Sequence, residues 1–235
     1  MTISTNSSAE EEKGYIPSVP VLTSNRLTPE VLWSFGRIGG EAVSPDQTRV
    51  LYGVTYYSVE KNKGFKDLYV LDLKTKKSVR ITDSAENEGS ASWRPDGKKI
   101  AYLSNQSGSS QLWEMNPDGS GKKQISFLDG DVSDFKYFPN GSGVVFVKSV
   151  KLDQSVNDLH PDLPLANARL ETDLMYRHWD SWHDYTYNHL FIATYNEAGI
   201  FDAKDIMPGE RYDAPMKPFG GMEQVSVSPD GKTIA

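Results

Sequence analysis

Apolar and polar positions along this 235-residue chain alternate in short bursts, with a turn signal at nearly every interruption. One four-residue phrase punctuates the pattern: Ser44-Pro45-Asp46-Gln47, Arg94-Pro95-Asp96-Gly97, Phe138-Pro139-Asn140-Gly141 and Ser228-Pro229-Asp230-Gly231. Proline presets φ at about −65° for the first central turn position, Asp or Asn bonds backbone two residues on, and Gly accepts positive φ. Each phrase leads into an apolar strand, at Arg49–Tyr52, Lys99–Leu103 and Val144–Val147, with a last one beginning at Thr233. A second, alternating strand follows at Asp67–Asp72 and Gln111–Met115. Turns at Lys74–Lys77 and Pro117–Gly121 then reverse the chain into a third, Val79–Thr82 and Lys123–Ser126. A further strand climbs to the next phrase, as in Gly89–Trp93.

The prolines stand 50, 44 and 90 residues apart, so the last interval is two periods or one period carrying an insertion. Four short strands in ~45 residues, with a turn at each junction, is the signature of a propeller blade. The sequence therefore predicts an all-β fold: a partial β-propeller of WD40-like repeats, about three complete blades plus the start of a fourth. A sandwich of unrelated hairpins is the alternative, and the regular strand spacing disfavours it. The expected layout is an extended or disordered leader over 1–26 and a propeller segment over 27–235. Its blades fall at about 41–87, 88–131 and 132–222, with 223–235 cut short. In the third blade, residues 149–187 separate Val144–Lys148 from its partner His189–Ala193, and Leu170–Trp182 reads as a short helix with a loop. Leu27–Trp33 reads as a helix opening, with Thr28 as N-cap, Pro29 at the first helical position and Glu30 in the first turn.

Composition narrows the function. With 25 Lys+Arg against 32 Asp+Glu the net charge is −7 and the pI about 5.2. Nucleic-acid binding, which needs basic surface, is disfavoured. The longest apolar run is four residues, too short to span a bilayer. The absence of cysteine excludes disulfides, thiolate zinc sites and cysteine nucleophiles. The first fifteen residues have no basic n-region or apolar h-region, so no signal peptide is read there. The compartment stays open between the cytoplasm and an exported location reached after a leader was removed.

No G-x-S-x-G elbow is present, Gly108–Ser110 and Gly141–Gly143 are polar turns, and no histidine follows His189. The chain is thus expected to carry no catalytic residue and to be inactive alone. His178, His183 and His189, with Asp180 and Asp184, match no metal-ligand spacing and read as packed loop histidines, so neither metal nor cofactor is expected. The densest mixture of aromatic and charged residues is Tyr176, Arg177, His178, Trp179, Asp180 and Trp182, continuing through His183, Asp184, Tyr185 and Tyr187. The first six are the candidate substrate contacts, because aromatic faces hold apolar groups while Arg or Asp fixes a polar terminus. The competing role for Trp179 and Trp182 is to pin the excursion onto its blade.

The run Leu27–Trp33 followed by Glu41–Asp46 resembles the start of the propeller in prolyl-oligopeptidase-type (S9) serine peptidases. The nearest branch is that of the bacterial dipeptidyl aminopeptidases, dipeptidyl-peptidase V and acylaminoacyl peptidases; Asp173–Trp182 and Pro218–Gly221 are similar to segments of it. The resemblance implies a propeller that caps a C-terminal α/β-hydrolase domain and admits only short peptides. The implied partners are therefore short peptide substrates and that hydrolase domain. Some dipeptidyl peptidases grip the substrate amine with a Glu-Glu pair on a propeller helix. Here the only Glu run is Glu10–Glu12, in the leader, so an anchor of that kind would fall to Glu171, Asp173 or Asp180. The proline phrase also occurs in TolB-like (PD40) propellers that bind protein partners without catalysis, which is the second reading. A ring left open at residue 235 carries the further expectation of self-association.

Overall fold

The computed structural model describes residues 15–16, 25–174, 177–178 and 180–235, with only the backbone of His178 described. Most of the expected leader lies outside the described residues, as do Tyr176 and Trp179. The chain forms two compact units, Met1–Gln124 and Ile125–Ala235.

The first unit opens with helix α1 (Pro29–Ser34), whose N-cap Thr28 side chain accepts from the Val31 N–H, as the sequence predicts. Two four-stranded sheets follow. One takes β1 (Arg37–Val43), β2 (Arg49–Ser58), β3 (Lys63–Asp72) and β4 (Ser78–Arg80) in that order; the other takes β5 (Gly89–Trp93), β6 (Ile100–Ser104), β7 (Gln111–Met115) and β8 (Lys123–Gln124). The second unit holds a third sheet. In it β9 (Val132–Tyr137) pairs with β10 (Gly143–Lys151). The chain then passes through α2 (Val156–Leu159), β11 (Arg177–His178) and β12 (Ser181–Trp182), and returns as β13 (Thr186–Asn196) and β14 (Gly199–Asp205). The third sheet runs β9-β10-β13-β14. Each of the three sheets is an antiparallel up-and-down meander, the unit from which propellers are built. The fold is a partial β-propeller, and the strand climbing into each of the first three proline phrases opens the sheet that the phrase continues.

The four phrases build one turn. The N–H of Gln47, Gly97, Gly141 and Gly231 donates 2.8 Å to the carbonyl of Ser44, Arg94, Phe138 and Ser228 respectively. The acid or amide then accepts from the backbone two residues on: Asp46 from Thr48 (3.1 Å), Asp96 from Lys98 (3.0 Å), Asn140 from Ser142 (3.0 Å) and Asp230 from Lys232 (3.1 Å). The fourth turn position is left-handed in every copy, with φ of 58° at Gln47 and 69°, 72° and 71° at the three glycines.

Central strands β6 and the first half of β10 are buried along every residue, which explains their unbroken apolar runs. In the first unit, Leu51, Leu68 and Val70 of one sheet pack with Trp93, Ile100, Tyr102 and Met115 of the other. In the second, Val145, Val147 and Leu190 pack on Met222 and Val225, and the Lys136 ammonium donates to the carbonyls of both Met222 (2.9 Å) and Val225 (2.7 Å). The fourth phrase is flanked by an isolated bridge, Val227 to Ile234.

The excursion departs from expectation in two ways. It is shorter, residues 152–185, because β10 and β13 stay paired out to Lys151 and Thr186. The helix read over Leu170–Trp182 does not form: Arg177 pairs with Trp182 and His178 with Ser181 as a small antiparallel ladder. The helix lies earlier, at Val156–Leu159, where Ser155 and Asp158 make a reciprocal capping box. His189 lies in the strand where the sequence placed the partner of Val144–Lys148, and it is wholly buried, with Nδ1 2.8 Å from Asp205 Oδ2 and Nε2 2.8 Å from the Glu210 carbonyl.

Candidate functional site

The excursion and the segment after β14 enclose an open cavity of about 880 Å³ in the second unit. Strand register starts it. Beyond the Lys151–Thr186 pair, the Tyr185 carbonyl accepts from the N–H of Leu152 (3.1 Å) and Asp153 (3.3 Å), which sets Asp153 beside Tyr185 and Tyr187. Tyr185 reaches this position with φ of 66°, and its hydroxyl accepts from the Leu170 N–H at 3.4 Å.

Asp153 is the hub of the wall. Its Oδ1 is 2.7 Å from Arg211 Nη2, and its Oδ2 accepts the Tyr187 hydroxyl at 2.7 Å. His183 Nε2 stands 3.5 Å from the same oxygen in contact that lacks hydrogen-bond geometry, and no hydrogen bond reaches that nitrogen. Burial works to raise the Asp153 carboxyl, but the Tyr187 hydroxyl and the Arg211 guanidinium outweigh it and hold the group below its ordinary range. Burial and the Asp153 carboxylate push the Tyr187 phenol up. Tyr187 and Asp153 raise Arg211, so its charge is secure.

Three more acids line the cavity: Glu171, Asp173 and Asp213. Asp213 accepts from the Asn188 N–H (2.8 Å) and faces the Lys217 ammonium (3.3 Å). Among the described residues Asp173 accepts only the Thr172 hydroxyl (3.1 Å), and buried Glu171 Oε1 has no hydrogen-bond partner. Leu152, Leu159, Leu170 and Leu174 supply the apolar lining.

Of the sequence candidates that are described, Arg177, Asp180 and Trp182 are not among the residues that line this cavity. Arg177 and Trp182 face each other across the small ladder, with the Arg177 guanidinium 5.2 Å from the Trp182 ring. Arg169 stands 5.4 Å from the same ring and donates 3.0 Å to the His183 carbonyl, so cationic side chains flank an exposed indole. Asp180 lies between the two short strands and accepts the Ser181 hydroxyl at 3.2 Å. Tyr176 and Trp179 are outside the described residues, and the His178 side chain is not described. Of the extended cluster, His183, Tyr185 and Tyr187 line the cavity, whereas Asp184 turns to cap Thr186.

Asp153, Arg211 and Asp213 were not singled out from sequence. Asp153 could have been found from the strand register, which sets it opposite Tyr185–Tyr187. Arg211 carries no local signal, because it meets Asp153 only through the return of the chain after β14.

Comparison with known proteins places the chain. The family model described as the TolB beta propeller domain (PD40) matches residues 24–199. Dipeptidyl-peptidase 5 of Porphyromonas gingivalis is 42% identical over 219 residues, covering 93% of this chain and 32% of that protein. Dipeptidyl-peptidase 5 of Porphyromonas endodontalis is 35% identical over the same shares. The chain thus spans about a third of the length of these curated relatives, which belong to the branch that the sequence resembles. Among solved structures, the acylaminoacyl peptidase of Pyrococcus horikoshii superposes with a TM-score of 0.57 at 14% identity, covering 74% of this chain and 25% of its own; at that identity the likeness concerns fold alone. By its repeated turns, its three meanders and the match across most of its length, the chain belongs to the TolB beta propeller domain family.

Proposed function

We propose that this chain is the propeller segment of an S9-type serine peptidase, admitting and orienting short peptides for a catalytic α/β-hydrolase domain outside residues 1–235. The observation that carries the proposal is the 42% identity to a dipeptidyl-peptidase 5 across 93% of the chain. The excursion cavity supports it, because acids, leucines and tyrosines on one wall suit a peptide end with apolar side chains. In this reading Glu171 and Asp173 hold the substrate amine. Arg177, Asp180 and Trp182 form an outer contact surface, and Tyr176, His178 and Trp179 are further candidate substrate contacts.

The test is dipeptide release from chromogenic peptides by the full-length polypeptide that contains this segment. Glu171→Gln should raise KM at least tenfold with kcat changed less than threefold, while residues 1–235 alone turn over nothing. A full-length protein without peptidase activity, or a Glu171→Gln variant with unchanged KM, refutes the proposal for the site.

A further inference from the structure

Resting on that peptide-binding reading, we propose that the excursion cavity holds short peptides as zwitterions, with the free ammonium against Glu171 and Asp173 and the free carboxylate against Arg211. The argument is a charge audit of one cavity. Of its four carboxylates, Asp153 and Asp213 are matched, by Arg211 and Tyr187 in the first case and by Asn188 and Lys217 in the second. Among the described residues Glu171 and Asp173 face no cation, and the buried Glu171 Oε1 has no donor. A buried acceptor left without a donor is costly, so this corner is built for a group that brings hydrogens and positive charge.

The complementary charge lines the same cavity. Arg211 is held by the Tyr187 hydroxyl and by one Nη on Asp153, while more than half of its side chain is exposed. A guanidinium has five N–H donors in a planar fork that matches a carboxylate. Asp153 does not depend on Arg211 alone, since it also takes the Tyr187 hydroxyl and faces His183. Arg211 is therefore fixed in place at one edge and able to receive an anion at the other. The same cavity is lined by leucines and by Tyr185 and Tyr187, a surface for side chains rather than for a second charge.

Size agrees. Pockets for small ligands run to roughly 300–1,000 Å³, and about 880 Å³ falls inside that range. An extended chain advances ~3.3–3.6 Å per residue, so a di- or tripeptide separates its two termini by about 7–11 Å. A long peptide could place only one end here. The site then selects for short peptides by reading both ends, beyond merely holding an amine.

Calorimetric titration of the full 235-residue chain with Ala-Leu, N-acetyl-Ala-Leu and Ala-Leu-amide tests this. The free dipeptide should bind, each blocked form should bind at least tenfold more weakly, and Arg211→Gln should abolish the difference between free acid and amide. If the amide binds as well as the free dipeptide while the acetylated form does not, the zwitterion proposal is overturned and the amine-anchoring reading stands. If acetylation has no effect, the ammonium site is wrong. If no form binds to a chain that melts cooperatively, both readings fail together.

Discussion

The indole Nε1–H of Trp93 donates to the carbonyl oxygen of Ala42 across 3.0 Å, joining the last residue of β5 to the strand that opens the preceding sheet. The Arg49 guanidinium covers the same ring at 4.8 Å. A buried ring thus stitches two sheets whose strands share no ladder. Trp93→Phe keeps the aromatic filling and removes the donor. It should cost about 1–3 kcal/mol, read as a lower urea midpoint with an unchanged slope; a variant as stable as the parent would show that the bond contributes nothing.

Gln47 sits where the other three phrases carry glycine, and it holds a φ of 58°. A non-glycine residue in the left-handed region costs roughly 1–2 kcal/mol. Gln47→Gly is expected to raise stability by about 1 kcal/mol, despite the greater freedom of glycine in the unfolded chain. Gly97→Ala should move it in the opposite direction. Thermal melts of both variants check the pair, and a destabilised Gln47→Gly protein would contradict the strain argument.

Glu88 gives the fold a pH dependence. It is fully buried just before β5, with Ser84 and Gln106 donating to Oε1 and nothing reaching Oε2. Burial, with a further push from the Asp67 charge, raises its carboxyl from 4.5 to about 7. The folded state therefore prefers the neutral acid. Its contribution is complete below pH 4.5 and is lost as pH climbs to about 7, by about 3 kcal/mol in all. Urea unfolding across this window should show the parent losing stability relative to Glu88→Gln, whose neutral amide has no proton to lose. Parallel curves for the two proteins would remove Glu88 from the account.

His189 has both ring nitrogens on acceptors, the Asp205 carboxylate and the Glu210 carbonyl, while Asp205 also takes the Met207 N–H at 2.8 Å. The imidazole thereby ties β13 to the end of β14 and to the segment that carries Arg211. His189→Leu should cost about 2–4 kcal/mol and should speed hydrogen exchange of the Met207 amide selectively. Uniform exchange behaviour would mean that the contact is not a local tie.

How far these features could be read in the sequence depends on how local their causes are. The proline phrase was legible because its carbonyl, its carboxylate and its left-handed residue lie within five positions. Two of the strands after it, β6 and the first half of β10, were legible because they are buried at every residue. The left-handed kink in β1 at Gly40 (φ 67°) and its counterpart in β5 at Ser90 (φ 44°) were half-legible, since only the glycine advertises it. The excursion announced itself through the long interval between prolines, but its interior did not. The spacing of Trp179 and Trp182 suits a helical turn, yet Arg177 and Trp182 are cross-strand partners. The cavity was the least legible part, because Asp153 and Arg211 meet through tertiary return rather than through any repeat.

The register that pairs Lys151 with Thr186 has an evolutionary consequence. Cross-strand partners stand ~5 Å apart, so residues 152–185 leave the sheet and re-enter it at almost one point. The entropy of closing a loop grows only slowly with its length, and β10 and β13 are already joined by their own ladder. The excursion is therefore a cassette: it can be lengthened, shortened or exchanged between relatives while the blade beneath it keeps its register. Under the proposed function, ligand preference would drift by loop replacement alone, with the propeller serving as an unchanging socket.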